Sequence, residues 1–235
     1  MDFKVNTIYP SFMGEVNTYG IGVACTFVRL AGCNLRCYLD TMGTLCDTPE
    51  SLEKHQGDSL TLNEIIDKLE DYGNDVICLT GGEPLMFRPT ELLQRLSNLG
   101  FKVVVETNGS MDVSPYRDLE NVSFVVDYKL ASTGEGGSFL NKNVGILNDK
   151  DFIKFVVNSE EDLEEAFTLI ESIPNKRVNI ALGLYWGSKI STVDFLKTLR
   201  ERKFTGYVNM QTHKFMMLQD KAKDIIKEMT IPKNL

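Results

Sequence analysis

The chain has 235 residues, and its 25 Lys and Arg against 33 Asp and Glu leave a formal net charge of −8. That length suits a single domain spanning 1–235, with a core large enough to need no covalent staples. The acidic balance argues against a general nucleic-acid binder, and 43% hydrophobic with 25% charged residues excludes disorder, collagen or a coiled coil as the main architecture. In chain order, Gly22 to Leu30 is rich in Val, Thr and Phe and reads as a strand. A loop follows from about Ala31 to Asp58. Thr61-Leu62-Asn63-Glu64 is a capping box that opens a helix carrying Leu62, Ile65, Ile66 and Leu69 on one face, with Gly73 as its stop. Asp75 to Thr80 is a buried strand ending at Gly81-Gly82. Glu91 to Asn98 is a helix closed by Gly100, and Phe101 to Thr107 is the next strand. Phe124 to Asp127 and Phe152 to Val157 are short apolar strands, separated by a glycine-containing loop from Ala131 to Asp149. Ser159 caps a helix that buries Leu163, Ala166, Phe167 and Ile170. Val178 to Leu182 and Tyr207 to Met210 are strands, and Thr192 to Arg202 and Lys221 to Met229 are helices.

Strand and helix thus alternate, which implies an α/β fold with a parallel sheet and helices outside it. About six strand–helix units fall short of a full eight-fold barrel, so a partial, open TIM-like barrel fits the length. In such sheets functional groups gather at the carboxyl ends of the strands. Cys33, Gly81-Gly82-Glu83, Asn108-Gly109 and Lys129 each follow a predicted strand, so they converge on one site. No apolar run approaches the roughly 18 residues that span a membrane, and Met1-Asp2-Phe3-Lys4-Val5-Asn6 lacks the pattern of a signal peptide. A cytoplasmic protein is expected, with neither membrane nor nucleic acid as a partner.

Of five cysteines, Cys33, Cys37 and Cys46 fall within fourteen positions, in the spacing Cys33-x3-Cys37-x8-Cys46. An odd count is a poor disulfide framework. Three soft thiolates on one loop suit an iron–sulfur cluster with an open fourth iron, or a tetrahedral zinc that finds a fourth ligand elsewhere. The spacing favours the cluster over zinc and over three unrelated thiols. Cys25 and Cys78 lie inside strands and read as buried structural thiols. His55 sits in a polar loop and carries no assignment.

Phe27 to Cys37 followed by Cys46-Asp47-Thr48 resembles the cluster loop of radical S-adenosylmethionine (SAM) enzymes, and Thr80-Gly81-Gly82-Glu83-Pro84 resembles their SAM-binding turn. More narrowly, the chain is similar to the 7-carboxy-7-deazaguanine synthase family. Ile8-Tyr9-Pro10-Ser11-Phe12-Met13-Gly14-Glu15, Glu106-Thr107-Asn108-Gly109, Asp127-Tyr128-Lys129 and Gln211-Thr212-His213-Lys214 match its motifs. Two departures stand out. The superfamily's usual x3, x2 cysteine spacing would land on Asp40, within Leu39-Asp40-Thr41; an insertion of about six residues leaves Cys46 as the third cysteine and Thr48 or Thr41 as the family's threonine. Met13 stands where the family usually has Gln.

The resemblance implies a 4Fe–4S cluster on Cys33, Cys37 and Cys46, with SAM chelating the fourth iron. Gly81 and Gly82 would admit the methionine end closely, and Glu83 would hold its amino group. Glu106, Asn108, Lys129 and, more weakly, Ser132 would complete the SAM contacts. The implied substrate is 6-carboxy-5,6,7,8-tetrahydropterin. Arg29 would take its carboxylate, Phe12, Met13, Gly14 and Glu15 its ring edge, and Thr80 and His213 further contacts. Mg2+ would sit on Thr48. A flavodoxin- or ferredoxin-like reductant and a homodimer are implied with it, as is production of 7-carboxy-7-deazaguanine for queuosine biosynthesis by ring contraction with loss of ammonia. Two other readings use part of the same motifs: a radical SAM activase of a glycyl-radical enzyme, and a non-enzymatic iron–sulfur electron carrier.

Overall fold

A computed structural model describes residues 2–38 and 46–216. The expected Lys221–Met229 helix and the Leu39-Asp40-Thr41 segment lie outside them. Among the described residues nine strands form one sheet: β1 (Asp2–Phe12), β2 (Ala24–Leu30), β3 (Asp58–Thr61), β4 (Val76–Gly81), β5 (Lys102–Thr107), β6 (Val122–Tyr128), β7 (Phe152–Val157), β8 (Asn179–Leu184) and β9 (Tyr207–Asn209), in the order β3-β1-β2-β4-β5-β6-β7-β8-β9. From β2 onward every neighbouring pair is parallel. The helices α1 (Leu62–Tyr72), α2 (Thr90–Asn98), α3 (Lys142–Ile146), α4 (Glu160–Ser172) and α5 (Thr192–Glu201) fall in the connections between strands. The open α/β barrel expected from the alternation is therefore what forms.

Local signals act where the sequence places them. The Thr61 hydroxyl accepts from the Glu64 amide while the Glu64 carboxylate accepts from the Thr61 amide, and α1 ends on Gly73 at φ 69°. The Ser159 side chain likewise caps α4 by accepting from the Asp162 amide. Two features differ from the sequence reading. β1 and β3 add an antiparallel edge to the sheet, where the sequence reads only a substrate-binding N-terminal segment and a loop. Within the 131–149 loop, α3 supplies five helical residues.

The strand period of two sorts the core. Ile77, Leu79, Val103, Val105, Phe124, Val126, Ile153 and Phe155 belong to the main apolar cluster, which also takes Ile65, Leu69, Leu92, Leu96, Leu163 and Phe167 from the helices. The alternate residues Cys25, Cys78, Val104, Val125, Phe152 and Ala181 form a second, smaller cluster with Met13 and Val16. This second layer plugs the inside of the barrel. Two residues further along the same strand faces stand Thr80, Glu106, Asp127 and Lys154, all of which line a cavity of about 410 Å³. The apolar plug thus forms the floor beneath a ring of polar side chains.

Candidate active site

The cavity opens at the carboxyl ends of the parallel strands. Cys33, Cys37 and Cys46 line one side of it, with Gly81, Gly82 and Asn108. The cysteine loop is held by its backbone: the Gly32 amide donates to the Ser51 carbonyl (2.8 Å) and the Cys33 amide to the Leu52 carbonyl (2.9 Å). Arg36 donates to the Cys33 and Leu35 carbonyls at 2.9 and 2.8 Å. The two glycines permit the loop and β4 to touch. A Cβ on Gly81, whose φ is +138°, would lie 2.1 Å from the Leu30 carbonyl oxygen, and one on Gly82 would lie 2.3 Å from that of Gly32.

Burial raises all three thiols, Cys37 to about 11, so they ionise readily only against a bound cation. Among the described residues no three His, Cys, Asp or Glu side chains gather as the set for a single metal ion. The donor set nonetheless fits an iron–sulfur cluster, which gives each thiolate its own iron. Cys33 Sγ already accepts contacts from the Leu35 amide (3.5 Å) and the Asn108 amide side chain (3.8 Å), and Cys46 Sγ from the Thr48 amide (3.4 Å). Such donors stabilise thiolate charge.

Thr48 lines the same cavity. Its hydroxyl donates to Asp47 at 3.1 Å and makes no cap to the short turn after it.

The opposite side of the cavity is charged. Arg29 on β2 stands in register with Thr80 on β4, and its guanidinium donates to the Tyr9 hydroxyl at 3.4 Å. Thr80 donates to Glu106 at 2.9 Å. Glu15 accepts from Lys154 (2.5 Å), Asn209 (3.1 Å) and Gln211 (2.9 Å). Lys154 also lies 3.0 Å from Asp127 Oδ1 as a charge contact, while Lys129 donates to Asp127 Oδ2 at 3.0 Å. Burial opposes ionisation of Glu15 and Asp127, but the lysines hold both carboxyls below their ordinary values. Glu106 forms no ion pair among the described residues; burial, with Glu15 nearby, raises it against the more distant pull of Lys154.

Not every expected residue reaches the cavity. Phe12, Gly14, Glu15, Arg29, Thr80, Glu106, Asn108, Lys129 and His213 line it. Met13 does not: its side chain is 1% exposed in the apolar plug, and its amide and carbonyl pair with Val23 and Gly22. Glu83 is fully buried beneath the strand ends, where its carboxylate accepts from the Leu85 amide (3.0 Å), the Thr107 hydroxyl (2.8 Å) and the Asn108 amide (2.7 Å). Ser132 donates to Asp162 at 2.9 Å, outside the cavity lining. Lys154, Gln211 as a partner of Glu15, and the aromatic pair Tyr38 and Tyr185 (5.2 Å between centroids) also line the cavity, beyond the residues the motifs pick out. Lys154 had a signal: it is the lone charge in the apolar run Phe152-Ile153-Lys154-Phe155-Val156-Val157, two residues from the inward-facing Phe152.

The three-thiol loop, the Gly-Gly turn and the open parallel barrel define a radical SAM protein. Residues 28–200 match the radical SAM superfamily model, whose members combine a 4Fe–4S cluster with SAM. The chain is 35% identical over 225 residues to a 7-carboxy-7-deazaguanine synthase of Clostridium acetobutylicum, covering 92% of this chain and 96% of that one. It is 32% identical to the synthase of Methanospirillum hungatei JF-1, over 92% and 86% of the two chains. The crystal structure of QueE from Escherichia coli has the same fold, with a TM-score of 0.72 at 24% identity over 91% of this chain and 95% of that one. The chain belongs to the 7-carboxy-7-deazaguanine synthase family. Among the described residues no helix is long and apolar enough to cross a membrane.

Proposed function

We propose that this single-domain protein converts 6-carboxy-5,6,7,8-tetrahydropterin to 7-carboxy-7-deazaguanine, the lyase step of queuosine biosynthesis in which the ring contracts and ammonia leaves. The observation that carries this reading is one cavity with two chemically distinct sides: thiols and glycines on one, and a guanidinium facing a set of carboxylates on the other. When bound, the cluster and SAM supply a hydrogen-abstracting carbon radical after one-electron reduction.

The chain's own residues do the rest. Cys33, Cys37 and Cys46 hold the cluster. Gly81 and Gly82 let the cysteine loop lie directly against β4 at that wall of the cavity, and Asn108 and Lys129 face the SAM side. Glu83 fixes the Asn108 turn from below, and Ser132 supports the same rim through Asp162. Arg29 offers two parallel donors to the substrate carboxylate. Glu15 accepts from the N–H donors of the pterin edge, Glu106 serves the SAM end, Thr80, which donates to Glu106, bridges the two ends, and His213 with the backbone of Phe12 to Gly14 closes the ring in. Met13 contributes through its packing. The Thr48 hydroxyl beside Asp47 is the protein donor for Mg2+, a hard cation that takes oxygen. A flavodoxin- or ferredoxin-type reductant supplies the electron, and the enzyme works as a homodimer.

The test is anaerobic. Protein reconstituted with iron and sulfide is reduced and given SAM with and without 6-carboxytetrahydropterin, and the products are read by mass spectrometry. We expect 5′-deoxyadenosine together with 7-carboxy-7-deazaguanine. Deoxyadenosine alone would move the substrate elsewhere, with a glycyl-radical activase next in line. Neither product from cluster-bearing protein would point to an electron carrier.

A further inference from the structure

Lys154 sits in the middle of β7 with its side chain 8% exposed, in register with Asp127 on β6 and two positions above the apolar plug. A buried ammonium is costly unless paired. Here it has two carboxylates: Glu15, reached across the cavity from the N-terminal loop, and Asp127 beside it. Asp127 has a second cation, Lys129. Glu15 has none besides Lys154 among the ion pairs of the described residues. Its remaining partners, Asn209 and Gln211, are neutral amides. The other titratable groups facing it are Glu106 from β5 and the side chains of His213 and Lys214.

We propose that Lys154 is a positioning residue for substrate recognition, which holds the Glu15 carboxylate in one orientation and in its acceptor-only form for the N–H edge of the pterin. This rests on the pterin reading of the site. The chemistry requires that form. The 2-amino group and N3–H of a pterin are both donors, and a protonated carboxyl would set its own O–H against one of them. Without Lys154, burial and the neighbouring Asp127 both act to keep a proton on Glu15.

The sign of the pH effect follows. In the wild type Glu15 stays ionised through the working range, so pterin KM should be flat between about pH 7 and about pH 9, where His213, already held below its ordinary value by burial, stays neutral. In Lys154→Met, KM should climb as pH falls, by up to about tenfold per pH unit below the new Glu15 pKa, while kcat at saturating pterin changes little. Lys154→Arg should restore the flat profile. In a Glu15→Gln background the Lys154→Met change should add no pH dependence. A flat but raised KM in Lys154→Met, or an equal effect in the Glu15→Gln background, would overturn the positioning role and place Lys154 on the substrate itself. If Lys154→Met fails to retain its cluster, a Lys154→Arg enzyme with an unrestored profile overturns the proposal as well. Wild-type protein that makes no deazaguanine removes the pterin reading and this inference together, whereas a normal wild type with a flat variant removes the inference alone.

Discussion

At the scale of single residues, the site depends on where a side chain cannot go. Gly82 is boxed in by backbone, with its absent Cβ 2.3 Å from the Gly32 carbonyl oxygen and 2.6 Å from that of Ser51. Backbone cannot rotate away as a side chain can. Gly82→Ala should therefore destabilise the fold by about 3 kcal/mol or more, read as a lower urea midpoint, and should loosen the cysteine loop so that reconstituted protein holds less iron. The cysteines divide along the same lines. Cys46 lines the cavity, whereas Cys25 is fully buried in the plug. Cys46→Ala should lose the brown chromophore and most of its iron, and Cys25→Ala should keep both. Equal iron in the two variants would undo the ligand assignment. The thiol loop was legible because three cysteines on a polar loop have no packing reason to be there. Met13 and Glu83 were legible only as motif positions. Which way their side chains turn was decided by tertiary packing, into the plug for one and under the strand ends for the other.

Elements were legible in proportion to how local their cause is. The Thr61–Glu64 box, the Ser159 cap and the apolar parallel strands act over a few residues, and the expected boundaries fall within about two residues of those observed. β1 was not, because Asn6 and Pro10 interrupt its alternation. Pro10 is tolerated because β3 pairs only with Asp2 to Val5, leaving the outer edge of β1 unpaired there. β3 is four largely polar residues that exist only as partners of β1. The joint between β6 and β7 depends on one buried acid. Asp151 is fully buried and accepts from the Phe124 amide (2.9 Å), the Asn148 amide (2.9 Å) and Arg117 (2.6 Å). Removing it strands three donors, one of them charged. Asp151→Ala should cost about 3 kcal/mol or more in chemical denaturation. Arg117→Ala should cost less, since the two backbone donors still satisfy the acid.

For the whole molecule, what matters is how an open barrel encloses a cavity. Among the described residues the sheet has two ends, β3 and β9, and no strand pair joins them. The gap is bridged by the loop after β1, which reaches the far side: the Val16 amide donates to Asn209 on β9 (2.9 Å), and the Thr212 amide and hydroxyl both donate to the Gly14 carbonyl (3.0 Å each). Gln211 and Asn209 add their bonds to Glu15, so the N-terminal segment and residues 209–213 form one wall of the site. Gly14 is what allows the close approach. A Cβ there would lie 2.6 Å from His213 Nδ1, an atom of a side chain that can swing aside, and the Gly14 backbone is outside the left-handed region. Gly14→Ala should thus differ in kind from Gly82→Ala. The fold should lose no more than about 1 kcal/mol, and the cluster should load normally, because neither the cysteine loop nor the plug is touched. The imidazole, however, must leave its place beside Glu15, taking with it the wall proposed above to meet the pterin ring. Pterin KM should rise by about tenfold, equivalent to about 1.4 kcal/mol of lost contact, with SAM binding unchanged. A Gly14→Ala enzyme with an unaltered pterin KM would show that the bridge shapes the barrel without contributing to the substrate's side of the cavity.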